Sequence, residues 1–453
     1  MSSTTGRPDE PPGPSTTGSA SPSSTGDPAV TPRRAVAAAF SGAFLEWYDF
    51  YLFGTASALV FARLFFPESS PTAGTIAAFG TFAAGFVTRP LGAVLFGHFG
   101  DRLGRKPMLM ITILVMGLGT FLIGVLPTYD SVGVWAAVLL IALRLVQGLG
   151  IGGEFGGGAL VALENAPAHR RGVMGSIHQM GTPVGLLAST GIFALVETLP
   201  EDAFLSWGWR IPFLLGGAFL VVAFYVRAHL PETRTFSEES SERRRFPLAA
   251  LVKEHPRQIL LAIGARMTDA VTFNVINVFG IAYATSALGL PEQLMLTGFV
   301  IASAVEVVLL PVIGRVSDRI GRRPVYLFGI AVCAVMGAAY FPLLSTASTV
   351  VVWLTIVVTL AVGTGCMFGI QGTLFSELFG TRMRYTGLGV AYQVSALLGG
   401  APTPIIATAL SAAVGSYWPV VVYLVVVCVI SFACVVAAGE TRDRDLVEER
   451  ARA

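Results

Sequence analysis

The sequence predicts an all-α membrane protein, with twelve transmembrane helices in two six-helix, pseudo-symmetric bundles. Three observations carry this expectation. Of 453 residues, 53% are hydrophobic and only 13% charged, too apolar for an ordinary soluble domain. The apolar runs reach the roughly 20 helical residues that a bilayer core requires. Finally, Gly97-His-Phe-Gly-Asp101-Arg102-Leu-Gly104-Arg105-Lys106-Pro107 recurs as Gly314-Arg-Val-Ser-Asp318-Arg319-Ile-Gly321-Arg322-Arg323-Pro324, at a constant offset of 217 residues. Each copy falls in a short basic gap between two long apolar stretches.

Taken in order, helices are expected near 35–61, 73–96, 107–126, 132–162, 171–196 and 207–228, then 257–285, 292–313, 324–344, 349–375, 385–412 and 418–438. Residues 1–34 form a cytoplasmic tail, Ser/Thr/Pro/Gly-rich over 1–32, which reads as disordered and lacks the apolar core of a signal peptide. Residues 229–256, with Pro231 and Arg243-Arg244-Arg245, are the longest internal polar stretch and divide six spans from six. The bundles are thus 35–228 and 257–438, with 439–453 a second cytoplasmic tail. Of 30 Lys and Arg, 25 lie in one set of loops and tails and one, Arg63, in the opposite set. Positive charge concentrates on the cytoplasmic side, so both termini are expected there.

A second echo joins the first. Glu164, Arg171 and Gln179 between spans 4 and 5 resemble Glu377, Arg384 and Gln393 between spans 10 and 11. Halves in the same orientation, related by a shift of six spans, imply parallel repeats with a solute path between them. That is the architecture of a carrier.

The pattern Gly-x-x-x-Asp-Arg-x-Gly-Arg-Lys/Arg resembles the signature of the major facilitator superfamily. Glu46-Trp47-Tyr48-Asp49-Phe50, Arg89-Pro90-Leu91-Gly92, Arg144-Leu-Val-Gln147-Gly148 with Gly152-Gly153-Glu154, Trp209-Arg210-Ile211-Pro212-Phe213 and Pro231-Glu232-Thr233 are similar to its metabolite:proton symporter branch. The resemblance runs from about residue 35 to 440 and implies the major facilitator fold. It also implies a solute that is an osmolyte such as proline or betaine, or a carboxylate such as α-ketoglutarate, citrate or shikimate. Phe375-Ser376-Glu377-Leu378-Phe379 and Arg384-Tyr385-Thr386-Gly387 look most like the shikimate-type members.

Each ionised side chain at mid-bilayer costs about 2.5–3.5 kcal/mol, so it must pair, face water or work. Nine residues are candidates for such charges: Glu46, Asp49, Glu154, Asp269 and Glu306, against Arg89, Arg144, Arg210 and Arg266. They are expected to converge on one internal, partly wet chamber. Glu46 and Asp49, three residues apart on one helix face, oppose each other's ionisation. At least one is expected to hold a proton; alternatively one anchors a neighbouring helix through an arginine. Arg144, Gln147, Ile151 and Glu154 share a face of span 4, with Glu154 about 15 Å nearer the cytoplasm. Arg144 either stabilises a carboxylate or binds an anionic solute, and a buried structural ion pair is the competing reading. In relatives, Arg-x-x-Gln-Gly is associated with proton coupling.

The expected proton-coupling set is Glu46, Asp49, Arg144, Glu154 and Glu306. The expected solute contacts are Arg89, Gln147, Asp269, Asn274, Asn277, Tyr392 and Gln393. Gln371 and Tyr283 are further polar candidates, Arg266 and Asp269 can satisfy each other locally, and Arg210 can snorkel to the interface. The hinge residues Gly97, Asp101, Arg102, Arg105, Asp318, Arg319 and Arg322 are expected to gate. The glycine permits close helix approach, and the Asp–Arg network holds the halves together.

Other chemistries are disfavoured. Gly148-Leu-Gly150-Ile-Gly-Gly153 lies inside a membrane span rather than after a strand, so it is not a dinucleotide loop. The five histidines lack metal-ligand spacing, the four cysteines sit in apolar stretches, and no phosphate-binding loop is present. A net charge of +2 offers nucleic acid nothing. The expectation is therefore a non-enzymatic, monomeric secondary carrier in a bacterial plasma (inner) membrane. It binds a small solute, uses the proton as coupling ion and needs no cofactor. Proton symport is the leading mode, and proton-driven export is the rival.

Overall fold

The computed structural model describes residues 31–103, 105–229, 253, 255–379 and 384–442; the side chains of Pro71, Thr72, Thr75, Asp101 and Arg105 fall outside this description. The expected tails and most of the 229–256 loop also lie outside the described residues. Twelve long helices account for nearly everything else. The first, α1, runs over Pro32–Ala56 and continues through Ser57–Phe61 and Ala62–Phe65. Then come α2 (Pro71–Leu103), α3 (Arg105–Val125), α4 (Trp135–Glu164), α5 (Ala168–Glu197) and α6 (Glu201–Ala228). The second half holds α7 (Pro256–Ser286), α8 (Glu292–Ile320), α9 (Arg322–Leu344), α10 (Thr349–Leu378), α11 (Arg384–Val414) and α12 (Trp418–Ala438).

Eleven of these, α2 to α12, are apolar and long enough to cross a bilayer by hydropathy alone. Glu46 and Asp49 dilute the hydropathy of α1, whose first 25 residues are nonetheless long enough to span. The structure lengthens two expected spans: α2 and α8 run straight into the hinge motif, to Leu103 and Ile320.

The duplication is visible in the packing. α1 packs on α5 and α6, α2 on α4, and α3 on α6; six spans later α7 packs on α11 and α12, α8 on α10, and α9 on α12. Small residues make these approaches close. A Cβ on Gly152 would sit 2.7 Å from Ala93 N, so α2 and α4 nearly touch backbone to backbone. Without a hydrophobic drive between helices in lipid, such close packing supplies much of the association. Side chains such as Leu195, Val222, Ile405 and Val429 stay well exposed on the outside, as a lipid-facing surface requires.

The halves meet mainly at the end bearing the hinge motifs. There α8 lies along the first turns of α5, and α11 along the last turns of α2. A Cβ on Gly97 would come within 3.0 Å of Thr386 Cα, and one on Gly314 within 2.8 Å of the Gly172 carbonyl carbon. Three second-half helices, α7, α10 and α11, carry a widened turn at 275–279, 358–364 and 396–400. Such turns break regular packing and recur at functional sites. In this protein they border a cavity.

Candidate solute-binding cavity

A cavity of about 500 Å³ lies between the halves, walled by α1, α2 and α5 on one side and α7, α8, α10 and α11 on the other. No described residue of α3, α4, α6, α9 or α12 lines it. Its charged lining is Glu46, Arg89, Arg266, Asp269 and Glu306, with Asn274, Asn277 and Gln393 as neutral polar groups. Most of the remaining wall is apolar, with aromatic rings including Trp47, Phe50, Phe86, Phe273 and Phe368. A mostly apolar pocket with a few convergent polar groups is the usual build of a small-molecule site.

Arg89 is the open cation of this wall. Its guanidinium lies over the Phe86 ring at 4.2 Å and the Phe50 ring at 5.2 Å, while Nε and Nη2 are buried without a hydrogen-bond partner. Buried donors left empty are costly, and a guanidinium fork matches a carboxylate. Glu46 and Glu306, on opposite halves, have no hydrogen-bond or ion-pair partner among the described residues. Arg266 is largely engaged. Nη1 donates to Tyr392 O and Ser395 Oγ, both at 2.9 Å, Nε stands 3.9 Å from Asp269 Oδ2, and the guanidinium caps the Tyr392 ring at 3.6 Å. Tyr392 in turn stacks on Phe155 of α4 with ring centroids 3.6 Å apart. Tyr392 and the edge-to-face pair of Trp47 and Phe368 line the cavity toward the hinge end, with Phe155 behind Tyr392.

The expected single chamber is not what forms. Five of the nine expected charges line the cavity and four do not. Asp49, fully buried, accepts hydrogen bonds from Arg144 Nη1 at 2.9 Å, Gln147 Nε2 at 2.8 Å and Thr120 Oγ1 at 2.6 Å. Glu154 accepts from Thr112 at 3.1 Å and from both terminal nitrogens of Arg227, which also donates to the carbonyls of Ala38 and Leu109 at 3.1 Å. These are dry ion pairs inside the first bundle, viable because each carboxylate collects three donors. Arg210 neither lines the cavity nor simply reaches for the interface. It donates to Gly124 O and Leu126 O at 2.9 and 2.7 Å, capping the end of α3.

Of the expected solute contacts, Arg89, Asp269, Asn274, Asn277, Tyr392 and Gln393 line the cavity, whereas Gln147 serves Asp49. Gln371 is fully buried away from it. The reason is helical phase. Glu46 and Asp49 are three residues apart, about 60° short of a full turn, so one faces the cavity and the other the bundle interior.

At the hinge, Asp318 accepts the backbone N–H groups of Gly172 and Val173 at 2.8 and 3.0 Å and pairs with Arg322 at 2.7 Å. Arg322 is fully buried and reaches Glu377 at 3.5 Å. Arg384 pairs with Glu164 across the halves at 3.4 Å, and Tyr385 OH donates to Gly153 O at 2.8 Å. Arg319 is exposed and offers its carbonyl to Arg442, while among the described residues Arg102 meets His98 of its own helix, at 3.2 Å. The side chains of Asp101 and Arg105 lie outside the described residues. Every described hydrogen bond and ion pair between the halves lies at the level of Phe368 or nearer the hinge end.

The Major Facilitator Superfamily profile matches residues 39–404. The chain belongs to the major facilitator superfamily. Within it, this transporter is 40% identical over 405 residues to the shikimate transporter of Escherichia coli K12, covering 88% of this chain and 92% of that protein. It is 32% identical over 429 residues to the proline/betaine transporter of the same strain, covering 91% and 85%. These relatives place it in the metabolite:proton symporter branch. Among solved structures, the proton:xylose symporter XylE bound to 6-bromo-6-deoxy-D-glucose superimposes with a TM-score of 0.72 at 16% identity, covering 92% of this chain and 97% of that one. The fold is therefore that of a multi-pass membrane transporter rather than an enzyme.

Sequence reading passed over several residues that hold this major facilitator fold together around the cavity. Arg227, at the end of the sixth expected span and not among the candidate charges, is 3% exposed. Its signal was an acid, Glu154, without a partner in its own span. The Phe155–Tyr392 stack had none, since aromatic residues are common in any apolar helix. Glu440, which accepts the N–H groups of Arg322 and Arg323 at 2.8 and 3.0 Å, was legible as a repeat: Pro231-Glu232-Thr233 recurs as Gly439-Glu440-Thr441.

Proposed function

We propose that the protein is a proton-coupled symporter that imports a small organic carboxylate, or a zwitterion presenting one, by alternating access. One observation carries the reading: an unpartnered guanidinium, Arg89, faces a 500 Å³ cavity shared with two unpartnered carboxylates, Glu46 and Glu306. The guanidinium supplies the anion site. A carboxylate in a low-dielectric wall supplies the proton site, because its charge is stabilised there only by water or by Arg89. The relatives transport shikimate or proline and betaine, all of which present a carboxylate to such a fork.

The cycle follows from the geometry. The hinge end bears the excess of Lys and Arg, which supports a cytoplasmic position for it and for both termini. The contacts between the halves at that end support a form that receives solute from outside. Glu46 takes up a proton, the carboxylate settles on Arg89, and the polar side chains Asn274, Asn277 and Gln393 take the hydroxyl or amino groups. The halves then rock, parting Phe155 from Tyr392 and Arg384 from Glu164, and both passengers leave into the cytoplasm. A bacterial plasma membrane and a monomeric carrier complete the proposal. Export is separated from import by uptake into inverted vesicles under an imposed pH gradient.

The test is uptake of labelled shikimate, α-ketoglutarate, citrate, proline and betaine, with and without a protonophore. Accumulation of at least one carboxylate that collapses with the protonophore, and with Glu46→Gln, supports the proposal. Accumulation indifferent to the protonophore sinks it.

A further inference from the structure

The charges on the cavity wall also set the electrical balance of the cycle, an inference that rests on the proton-symport reading above. The ionisable groups facing the cavity are Glu46 and Tyr51 of α1, Arg89 of α2, Arg266 and Asp269 of α7, Glu306 of α8 and Tyr392 of α11. The faces of α5 and α10 contribute none. Behind the wall, Asp49–Arg144 and Glu154–Arg227 are closed pairs of zero net charge. Arg266 and Asp269 stand 3.9 Å apart and also cancel. The tyrosines are neutral near pH 7. What remains is one cation, Arg89, against two carboxylates on opposite halves, a net charge of −1 with all three ionised.

A bound monocarboxylate would take this to −2 in a chamber about to be sealed from water, which the low dielectric strongly opposes. Arg89 can neutralise only one anion. We propose that the sealed, loaded cavity is neutral, with Glu46 and Glu306 both protonated beside an Arg89–carboxylate pair, so that two protons accompany each monocarboxylate. After both protons and the anion leave inside, the empty carrier returns with −1 on the wall. Two protons and one anion move a net +1 inward per cycle, and the voltage-sensitive step is the return of the empty carrier. A zwitterion needs one proton for the same neutrality and carries the same net charge.

The test uses full-length protein in proteoliposomes, with labelled shikimate as the monocarboxylate and betaine as the zwitterion. An inside-negative potassium diffusion potential without a pH gradient is expected to drive accumulation of either, with a limit of about 50-fold per 100 mV. Proton flux against tracer flux is expected to give two protons per shikimate and one per betaine. Glu306→Gln leaves a wall charge of zero, so its shikimate uptake becomes electroneutral, one proton per anion, and insensitive to potential. Glu306→Asp, which can still take a proton, restores the response. Wild-type shikimate uptake driven by a pH gradient but not by potential overturns this inference and leaves proton symport standing. Shikimate or betaine uptake that neither a pH gradient nor a potential drives removes the symport reading itself. The wild-type ratio decides alone if the glutamine variant fails to assemble.

Discussion

Asp318, in the second half, accepts the backbone N–H of Gly172, in the first, at 2.8 Å. The acceptor sits at the start of a helix, where free N–H groups and the helix dipole favour a negative charge. A charge-assisted bond of this kind contributes about 1.5–3 kcal/mol. Asp318→Asn is therefore expected to shift the population toward the form open at the hinge end by roughly 10- to 100-fold. Spin-label distances between the hinge-end tips of α5 and α8 check this, and an unchanged distribution refutes it.

Gly314 offers a steric version of the same test. A Cβ at this position would overlap the Ser176 hydroxyl and lie 2.8 Å from a Gly172 backbone carbon, which cannot step aside as a flexible side chain could. Gly314→Val is expected to hold the hinge end apart. A thiol placed at Ser176 should then label readily in the variant, whereas in its parent the site is fully buried.

Asp49 and Arg144 form a dry pair, so deleting one partner strands the other. Asp49→Asn is expected to lower stability by about 3–5 kcal/mol, read as thermal unfolding in detergent. Asp49→Asn with Arg144→Gln should recover most of that loss, because no buried charge remains. If the recovered double variant also accumulates solute, the pair is a strut; if it binds but no longer accumulates, the pair belongs to the coupling machinery.

Glu440 gives a pH signature outside the membrane. Partial burial pushes its carboxyl up, but N–H donors from Arg322, Arg442, Arg323 and Thr441 more than offset this and hold it below its ordinary value of 4.5. A depressed carboxylate stabilises the folded form above its ordinary value, and the contribution is lost as pH falls below it. Amide exchange at Arg322 and Arg323 should stay slow at neutral pH and quicken well below pH 4.5. Glu440→Gln should show the faster exchange at every pH.

Fold, span number and pseudo-symmetry were legible because the bilayer forces length and apolarity on every element, and because Gly97–Pro107 and Gly314–Pro324 repeat. Which charges share water was less legible. Arg144 and Glu154 lie on one face of α4 as spacing predicts, yet that face looks into its own bundle, toward Asp49 and Arg227. Periodicity tells which side chains are neighbours on a helix; it does not tell which neighbour the helix turns toward. Arg89 and Glu306 were identifiable as charges needing a reason, and only packing showed that the cavity supplies it.

At its hinge-end side the cavity is lined by Tyr392 of the second half, which is held between Arg266 of its own half and Phe155, backing it from the first half. In the proposed cycle, a rotation that spreads the bundles at the hinge end parts Tyr392 from Phe155 and takes away the backing of this wall.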